Sequence, residues 1–182
     1  MPVEAFDSIL AAARSGAEWA WERLLNEVDP VLRGYLRSQG ATDVDDLAGE
    51  TWLHIARGIG GFQGGYTDFR SWLFMIAHHR VIDERRKRGR RPVDLEESEA
   101  LERSAPPFRS AESEVMDVMD EAEVERLLDH LSVDQREVVV LRILGGFGIS
   151  EIAEIIGKKP GAVQALQFRA FRRLEKFLEK DV

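Results

Sequence analysis

Apolar residues in the first half of this chain recur at steps of three and four positions, the spacing of helices that bury one face. Alternating apolar and polar runs, which would predict strands, are nearly absent. A glycine-rich stretch at residues 58–68 interrupts the helical pattern. The pattern predicts an all-α fold, and the helices of this half cover residues 4–14, 17–28, 30–38, about 42–58 and about 69–87.

The apolar pattern in the second half of the chain predicts further helices, and the last two of these have the layout of a helix-turn-helix. Ser132 and Gln135 have the S-x-x-Q spacing of a capping box, which marks the start of one helix. A short turn at residues 158–161 joins the last two helices. The predicted helices cover residues 124–131, 132–144, 149–156 and 162–178.

Between the two halves, residues 92–118 contain the Pro106-Pro107 pair, several Ser and Glu residues and few large apolar side chains. Such a composition is typical of a linker, because it cannot bury enough apolar surface to offset the entropy lost on folding. We therefore predict two small helical domains, at residues 1–92 and 119–182, joined by an acidic linker at residues 93–118.

Charge is distributed unevenly along the chain, whose formal net charge is -8. Residues 80–91 and 169–180 are strongly basic, whereas residues 94–129 are dominated by Asp and Glu. Contacts from Lys and Arg to phosphates supply most of the affinity of DNA-binding proteins, and an acidic segment opposes them. We expect such a chain to bind DNA through its basic segments, weakly when alone, and to need a protein partner.

The absence of cysteine excludes disulfides, thiolate zinc sites and cysteine nucleophiles, and it is compatible with a reducing, cytoplasmic location. The N-terminal residues lack the basic start and apolar core of a secretory signal, and no segment suits membrane insertion. The four histidines lack a carboxylate cluster that would complete a metal site. Because no phosphate-binding glycine loop or recognisable Ser-His-Asp pattern occurs either, we predict no metal, no cofactor and no catalytic residue.

The last predicted helix has two distinct faces. Val163, Leu166, Ala170 and Leu174 fall on one face, and Gln164, Ala165, Phe168, Arg169 and Arg172 fall on the opposite one. Arg bonds guanine or phosphate, Gln bonds adenine, and an apolar ring rests on a thymine methyl, so the second face suits DNA. The pattern also fits a surface helix with solvated arginines, in which Phe168 makes a helix-packing contact.

Residues 151–163, EIAEIIGKKPGAV, resemble the helix-turn-helix with which RNA polymerase sigma factors read the minus-thirty-five element of promoters. The resemblance extends over residues 124–178 and implies a helix-turn-helix of the winged-helix-like sigma type. Gly148 stands where the family often has a Ser or Thr cap, and Gln164-Ala165-Leu166 stands where it often has Lys-Ser-Arg. These departures leave the promoter sequence undetermined. The residues that the resemblance assigns to this contact are Gln164, Ala165, Phe168, Arg169, Arg172 and Arg173.

Two segments of the first half resemble the same family. Residues 45–52, DDLAGETW, resemble the acidic segment E-D-L-V-Q-E-T-F that binds the clamp of the polymerase's largest subunit, with Gly49 in place of Gln. Residues 69–83, FRSWLFMIAHHRVID, resemble F-R-x-W-L-x-x-I-A-R-N-x-x-I-D, which reads and opens the minus-ten element. The residues implied for polymerase binding are Asp45, Asp46, Glu50 and Trp52, and those implied for minus-ten and phosphate contacts are His78, His79, Arg80, Asp83, Arg85, Arg86 and Arg88.

The glycine-rich stretch has two interpretations. Backbone without side chains can approach an extruded base closely and an aromatic ring can stack on it, so Phe62, Gln63, Gly64 and Tyr66 are candidates for a base-capture loop. In the alternative, Phe62 packs beneath the loop. We assign the side chains of Trp52 and Trp72 to the hydrophobic core.

The polymerase-binding and minus-ten segments of the first half precede the helix-turn-helix of the second half, which is the family's order. By this resemblance the chain is identified as a member of the small, two-domain extracytoplasmic-function sigma factors of the sigma-70 family. The resemblance implies a non-catalytic protein that binds the clamp and flap of core RNA polymerase, recognises both promoter elements and helps to melt DNA. It also implies an anti-sigma factor as a partner. Two alternatives stay open: a stand-alone repressor or activator that uses only the second domain, and a helical enzyme.

Overall fold

The computed structural model describes residues 3–89 and 121–179, and every regular element in these ranges is an α-helix. The prediction of an all-α fold is confirmed. The predicted linker, residues 93–118, lies outside the described residues. The helices are α1 (Val3–Arg14), α2 (Glu18–Ser38), α3 (Val44–Gly58), α4 (Tyr66–Lys87), α5 (Glu121–Asp129), α6 (Val133–Ile143), α7 (Ile149–Ile156) and α8 (Pro160–Leu178).

Helix α2 runs without interruption through Pro30, although the sequence pattern predicted two helices that meet there. Proline removes one backbone donor and crowds the preceding turn, so it commonly ends or kinks a helix. The buried side chains before and after Pro30, among them Leu24, Val28 and Leu32, form one stripe along α2. The prediction of two helices was wrong, because burial of this continuous apolar face outweighs the loss at the proline.

Aromatic side chains dominate the core of the first domain, which consists of α1–α4. Phe6 of α1 contacts Tyr66 and Phe69 of α4, with ring centroids 5.5 Å and 5.6 Å apart. Helix α4 begins at Tyr66, three residues before its predicted start. The Asp68 carboxylate accepts a hydrogen bond of 2.8 Å from the Gly65 N–H, which is the half of a capping box that the third helical residue supplies. This hydrogen bond holds the end of the glycine-rich stretch against the first turn of α4, next to the aromatic core.

The second domain consists of α5–α8 and contains the predicted helix-turn-helix. The capping box is confirmed, since Ser132 Oγ accepts from the Gln135 N–H and Gln135 Oε1 accepts from the Ser132 N–H. Gly157 ends α7 in the left-handed conformation, with φ 66°, which favours glycine. Pro160 then opens α8 at a position where its missing N–H costs no helix hydrogen bond. These local signals mark the end of α7 and the start of α8.

The two domains contact each other directly. Helix α2 packs against α6, and α4 packs against α7, so most buried apolar side chains of both domains belong to one continuous core. A smaller cluster of Leu131, Val139 and Ala170 lies apart from it in the second domain. At the centre of this contact Phe74 of α4 meets Phe147 edge to face, with ring centroids 5.1 Å apart. The contact packs α4 against α7 and against the segment that follows α6, and it determines which residues of α4 face solvent.

Candidate nucleic-acid interface

Helix α8 presents its predicted polar face to solvent. Val163, Leu166 and Ala170 are buried, and Phe168 on the other side is 41% exposed. The guanidinium of Arg172 lies over the Phe168 ring, 5.7 Å from its centroid, so this ring is covered by a cation on the surface. The other predicted contact residues, Gln164, Arg169 and Arg173, are exposed, and Ala165 is half-buried. The arrangement combines cations, an amide and an aromatic ring on one accessible surface, which the predicted base and phosphate contacts require.

The helix preceding α8 is fixed to its surroundings by ion pairs and caps. The Glu151 carboxylate accepts a hydrogen bond of 2.5 Å from the Gly148 N–H, which is the half of a capping box that the third helical residue supplies. Lys158, in the turn between α7 and α8, pairs with Asp134 of α6 at 2.8 Å. The start of α7 therefore keeps the bond to the N-cap N–H, although Gly148 offers no side chain to the N–H groups of the first turn.

Helix α4 carries the predicted minus-ten residues, and several of its arginines already have partners. Arg80 pairs with Glu50 of α3 at 3.4 Å. Arg85 donates to the backbone carbonyl and side-chain oxygen of Gln39 at 2.8 Å and 2.9 Å, and Arg88 donates to Glu84 at 2.8 Å. His79, Asp83 and Arg86 are exposed on the same helix. These residues thus lie on α4, with Arg88 at its C-cap, and Arg80, Arg85 and Arg88 would exchange intramolecular partners for phosphates.

His78 does not lie on this exposed surface. It is only 8% exposed, and its Nδ1 lies 2.7 Å from Oε1 of Glu137, a residue of α6 in the second domain. The hydroxyl of Tyr35 on α2 donates to the same carboxylate oxygen. A DNA contact by His78 stays a prediction, and it requires the second domain to move away from α4.

Tyr35 provides a test of this buried cluster by its ionisation. Burial, followed by the negative charge of Glu137 and its hydrogen bond, raises the pKa of Tyr35 well above the ordinary 10.0. The neutral phenol therefore contributes fully to stability below pH 10, and its contribution is lost as the pH rises from there through the raised pKa.

In a Tyr66→Phe variant, which leaves Tyr35 as the only tyrosine, we expect tyrosinate absorbance to appear well above pH 10, together with loss of tertiary structure. The same variant in denaturant should titrate near the ordinary value. Ionisation of Tyr35 near pH 10 in the folded chain would contradict the burial of its hydroxyl against Glu137.

The glycine-rich loop is packed on aromatic side chains. Phe62 is half-buried and stacks on Trp72, with centroids 5.2 Å apart and ring planes at 12°. Tyr66 is half-buried against Phe6, and Gln63 and Gly64 are exposed. Phe62 therefore packs beneath the loop, which is the alternative to base capture that the sequence left open. Capture of a base by this loop stays a prediction and requires Phe62 or Tyr66 to leave its present ring contacts.

The acidic segment at the start of α3 forms an exposed surface. Asp43 caps α3 by accepting from the Asp46 N–H at 2.9 Å, and Asp45 and Asp46 are exposed in the following turn. Arg33 of α2 pairs with Asp45. Trp52 is half-buried against the core and donates its indole N–H to Asp29 at 2.8 Å. Core packing of Trp52 and Trp72 is thus confirmed, and polymerase binding by this segment stays a prediction.

The sequence interpretation assigned no role at the domain contact to Glu137, Tyr35 or Arg70. Glu137 of α6 is 3% exposed and stands directly before three valines, and Tyr35 is buried on α2. Arg70 donates to the backbone carbonyl of Gly145, and its guanidinium lies 4.7 Å from the centroid of Phe147. The one sequence signal was a carboxylate directly before the apolar V-V-V-L run, but its partners are distant in the sequence.

The described part of the chain contains no group of three or more His, Cys, Asp or Glu residues that could hold a metal ion. Within the same residues, no helix combines the length and the apolarity needed to cross a membrane.

Two sigma-factor family profiles match this chain. Residues 20–91 match the profile of Sigma-70 region 2, and residues 121–174 match the profile of Sigma-70, region 4. The ECF RNA polymerase sigma factor BldN of Streptomyces coelicolor is 32% identical over 95% of this chain, which spans 66% of BldN. The ECF RNA polymerase sigma factor EcfG of Rhodopseudomonas palustris is 32% identical over 84% of this chain and 81% of EcfG.

Two solved structures resemble the chain over most of its length. CnrH, in complex with the cytosolic domain of CnrY, has a TM-score of 0.68 and 26% identity, covering 98% of this chain and 99% of CnrH. The sigma factor RpoE of Bartonella quintana, in complex with the anti-sigma factor NepR, has a TM-score of 0.64 and 27% identity, covering 89% of this chain and 98% of RpoE. The likeness to CnrH therefore extends over both helical domains.

Proposed function

This chain belongs to the extracytoplasmic-function RNA polymerase sigma factors of the sigma-70 family, and from that premise we propose that it directs core RNA polymerase to promoters and helps to melt them. The observation that carries the proposal is the presence of region 2 and region 4 matches in one chain, in the order that a sigma factor requires. The polymerase supplies the chemistry of transcription, and the chain itself has no catalytic activity.

The two domains divide the work of promoter recognition. The exposed face of α8, with Gln164, Phe168 and Arg169, reads the minus-thirty-five element in the major groove. Helix α4, with His79, Arg80 and Arg86, holds the minus-ten element and its phosphates. The acidic start of α3 binds the clamp of the largest subunit, and the second domain binds the flap.

The charge of the chain supports a requirement for partners. A net charge of -8 opposes unaided binding to DNA, whereas a complex with core polymerase supplies further contacts. CnrH and RpoE were solved in complex with the cytosolic domain of CnrY and with the anti-sigma factor NepR, respectively. We propose that an anti-sigma factor binds this chain as well. We also propose that this chain acts in the cytoplasm, where the polymerase is.

The test is in vitro transcription by core RNA polymerase, with and without this chain, on a library of genomic fragments. We expect discrete new transcript starts that share sequence boxes upstream. If the chain neither binds core polymerase nor produces any start, the proposal is wrong. A specific nanomolar footprint by the purified chain alone would instead favour a stand-alone repressor or activator.

Arg169 should contribute to the choice of promoter, because its side chain is exposed on the recognition face of α8. If it reads a base, Arg169→Ala should lower discrimination between matched and mismatched minus-thirty-five boxes by about 1–3 kcal/mol. The measurement is a comparison of transcription from promoter variants. As a control, Arg23→Ala removes an exposed arginine of α2 in the other domain and should leave the promoter preference unchanged. An unchanged preference in Arg169→Ala would show that this residue reads no base.

A further inference from the structure

The contact between the two domains contains a buried polar cluster, consisting of Tyr35, His78 and Glu137. The Glu137 carboxylate of α6 accepts from the Tyr35 hydroxyl of α2 and lies 2.7 Å from the His78 ring nitrogen of α4. All three side chains are buried, and Tyr35 is fully so. A single carboxylate oxygen of the second domain therefore joins two different helices of the first.

A buried carboxylate is costly unless hydrogen bonds replace its hydration. When the domains separate, Glu137, Tyr35 and His78 all return to water, which can satisfy each of them. When the domains meet, the carboxylate is satisfied in this contact by donors from both α2 and α4. We call the arrangement in which the second domain packs on α2 and α4 the closed arrangement. The polar cluster favours this one geometry over other ways in which two apolar surfaces could associate.

Further bonds surround the polar cluster. Arg70 of α4 donates to the Gly145 carbonyl and covers the Phe147 ring, and Phe147 meets Phe74. Arg136 of α6 donates to the Ser38 carbonyl at the end of α2, at 3.3 Å. Because these contacts involve both ends of α6 and both α2 and α4, the second domain is held against the first at several points.

The closed arrangement covers a residue that the proposed function needs. His78 lies next to His79 on the helix assigned to the minus-ten element, but it faces Glu137 and not solvent. Resting on that proposed function, we propose that Tyr35, His78 and Glu137 form an autoinhibitory latch that holds the second domain over α4. In the free chain the latch keeps part of the minus-ten surface covered, and assembly with core polymerase separates the domains and exposes it.

The distance between the domains tests the latch directly. The chain has no cysteine, so Asn26→Cys on α2 and Ser150→Cys on α7, both at exposed positions, allow a spin label on each domain. Double electron–electron resonance on the full chain should give one short distance. Tyr35→Phe and Glu137→Gln keep the size of the buried side chains, and each should raise the long-distance population about tenfold or more.

Glu154→Gln provides the matched control, because this carboxylate of α7 is exposed and should leave the distance unchanged. Circular dichroism verifies that each variant retains its helices. The free Tyr35→Phe chain should also bind a promoter found by transcription mapping more tightly than the wild-type chain does. Unchanged distances in both latch variants, or opening without any gain in DNA binding, would overturn the latch.

Transcription with core polymerase separates failure of the latch from failure of the proposed function. Both latch variants should support at least wild-type transcription, because the latch is open in the assembled complex. If wild-type and variant chains give no transcripts, the sigma-factor function and the inhibitory role both fall, even if the distances change. If all chains transcribe and the distances stay short, only the latch falls.

Discussion

Phe69→Ala is expected to destabilise the first domain by about 3–5 kcal/mol. Phe69 is 0% exposed, and its ring meets Phe6, Phe62 and Trp72 at centroid distances of 5.6 Å, 5.8 Å and 6.3 Å. Truncation removes these contacts and leaves a cavity between α1, α4 and the glycine-rich loop. Because Phe62 packs beneath that loop, loss of Phe69 should loosen the loop as well as the core.

Denaturant unfolding followed by circular dichroism and tryptophan fluorescence measures this effect. Leu53→Ala is the control, since Leu53 of α3 is 57% exposed and its loss should change stability by no more than about 0.5 kcal/mol. A loss below about 1 kcal/mol for Phe69→Ala would mean that the aromatic cluster can close around the missing ring.

Gly145→Ala should disrupt the contact between the domains. A Cβ at this position would lie 2.5 Å from the Leu141 carbonyl oxygen and 2.5 Å from the Phe147 ring. The carbonyl belongs to the backbone of α6, and Phe147 is buried against Phe74, so neither can yield without moving the end of α6 or the domain contact. Overpacking of this kind costs about 1–3 kcal/mol.

The measurement combines denaturant unfolding with small-angle X-ray scattering, in which separation of the domains appears as a larger radius of gyration. Gly49→Ala on α3 is the matched control, because nothing lies within 4 Å of its added Cβ. That substitution should stabilise the helix by about 0.5–1 kcal/mol. Gly145→Ala with wild-type stability and dimensions would contradict the close packing at the end of α6.

Local patterns carried most of what the sequence could predict. The three-and-four spacing of Val163, Leu166 and Ala170 identified the buried face of α8, because burial there follows the helical repeat. The capping box of α6 was equally visible, since it depends on two residues three positions apart. The prediction of α2 was wrong at Pro30, because the tendency of proline to end a helix was given more weight than the burial of the apolar face on both sides of it.

The contact between the domains could not be predicted in the same way. Glu137 precedes three valines and had no assigned role in the sequence interpretation. Its burial depends on Tyr35 and His78, which are 102 and 59 positions away in the sequence. For the same reason the sequence placed His78 with the DNA contacts and left both interpretations of Phe62 open. The roles of the predicted site residues stay predictions.

The N-terminal helix has a consequence for how a fragment of this protein should be cut. The match to Sigma-70 region 2 begins at residue 20, but Phe6, Ile9 and Leu10 of α1 are buried in the same core. Arg14 also donates to the carbonyls of Ile59 and Phe62 and so ties α1 to the glycine-rich loop. A fragment trimmed to the limits of similarity would expose an apolar groove and release that loop. Expression boundaries for this domain should therefore follow its packing and include α1.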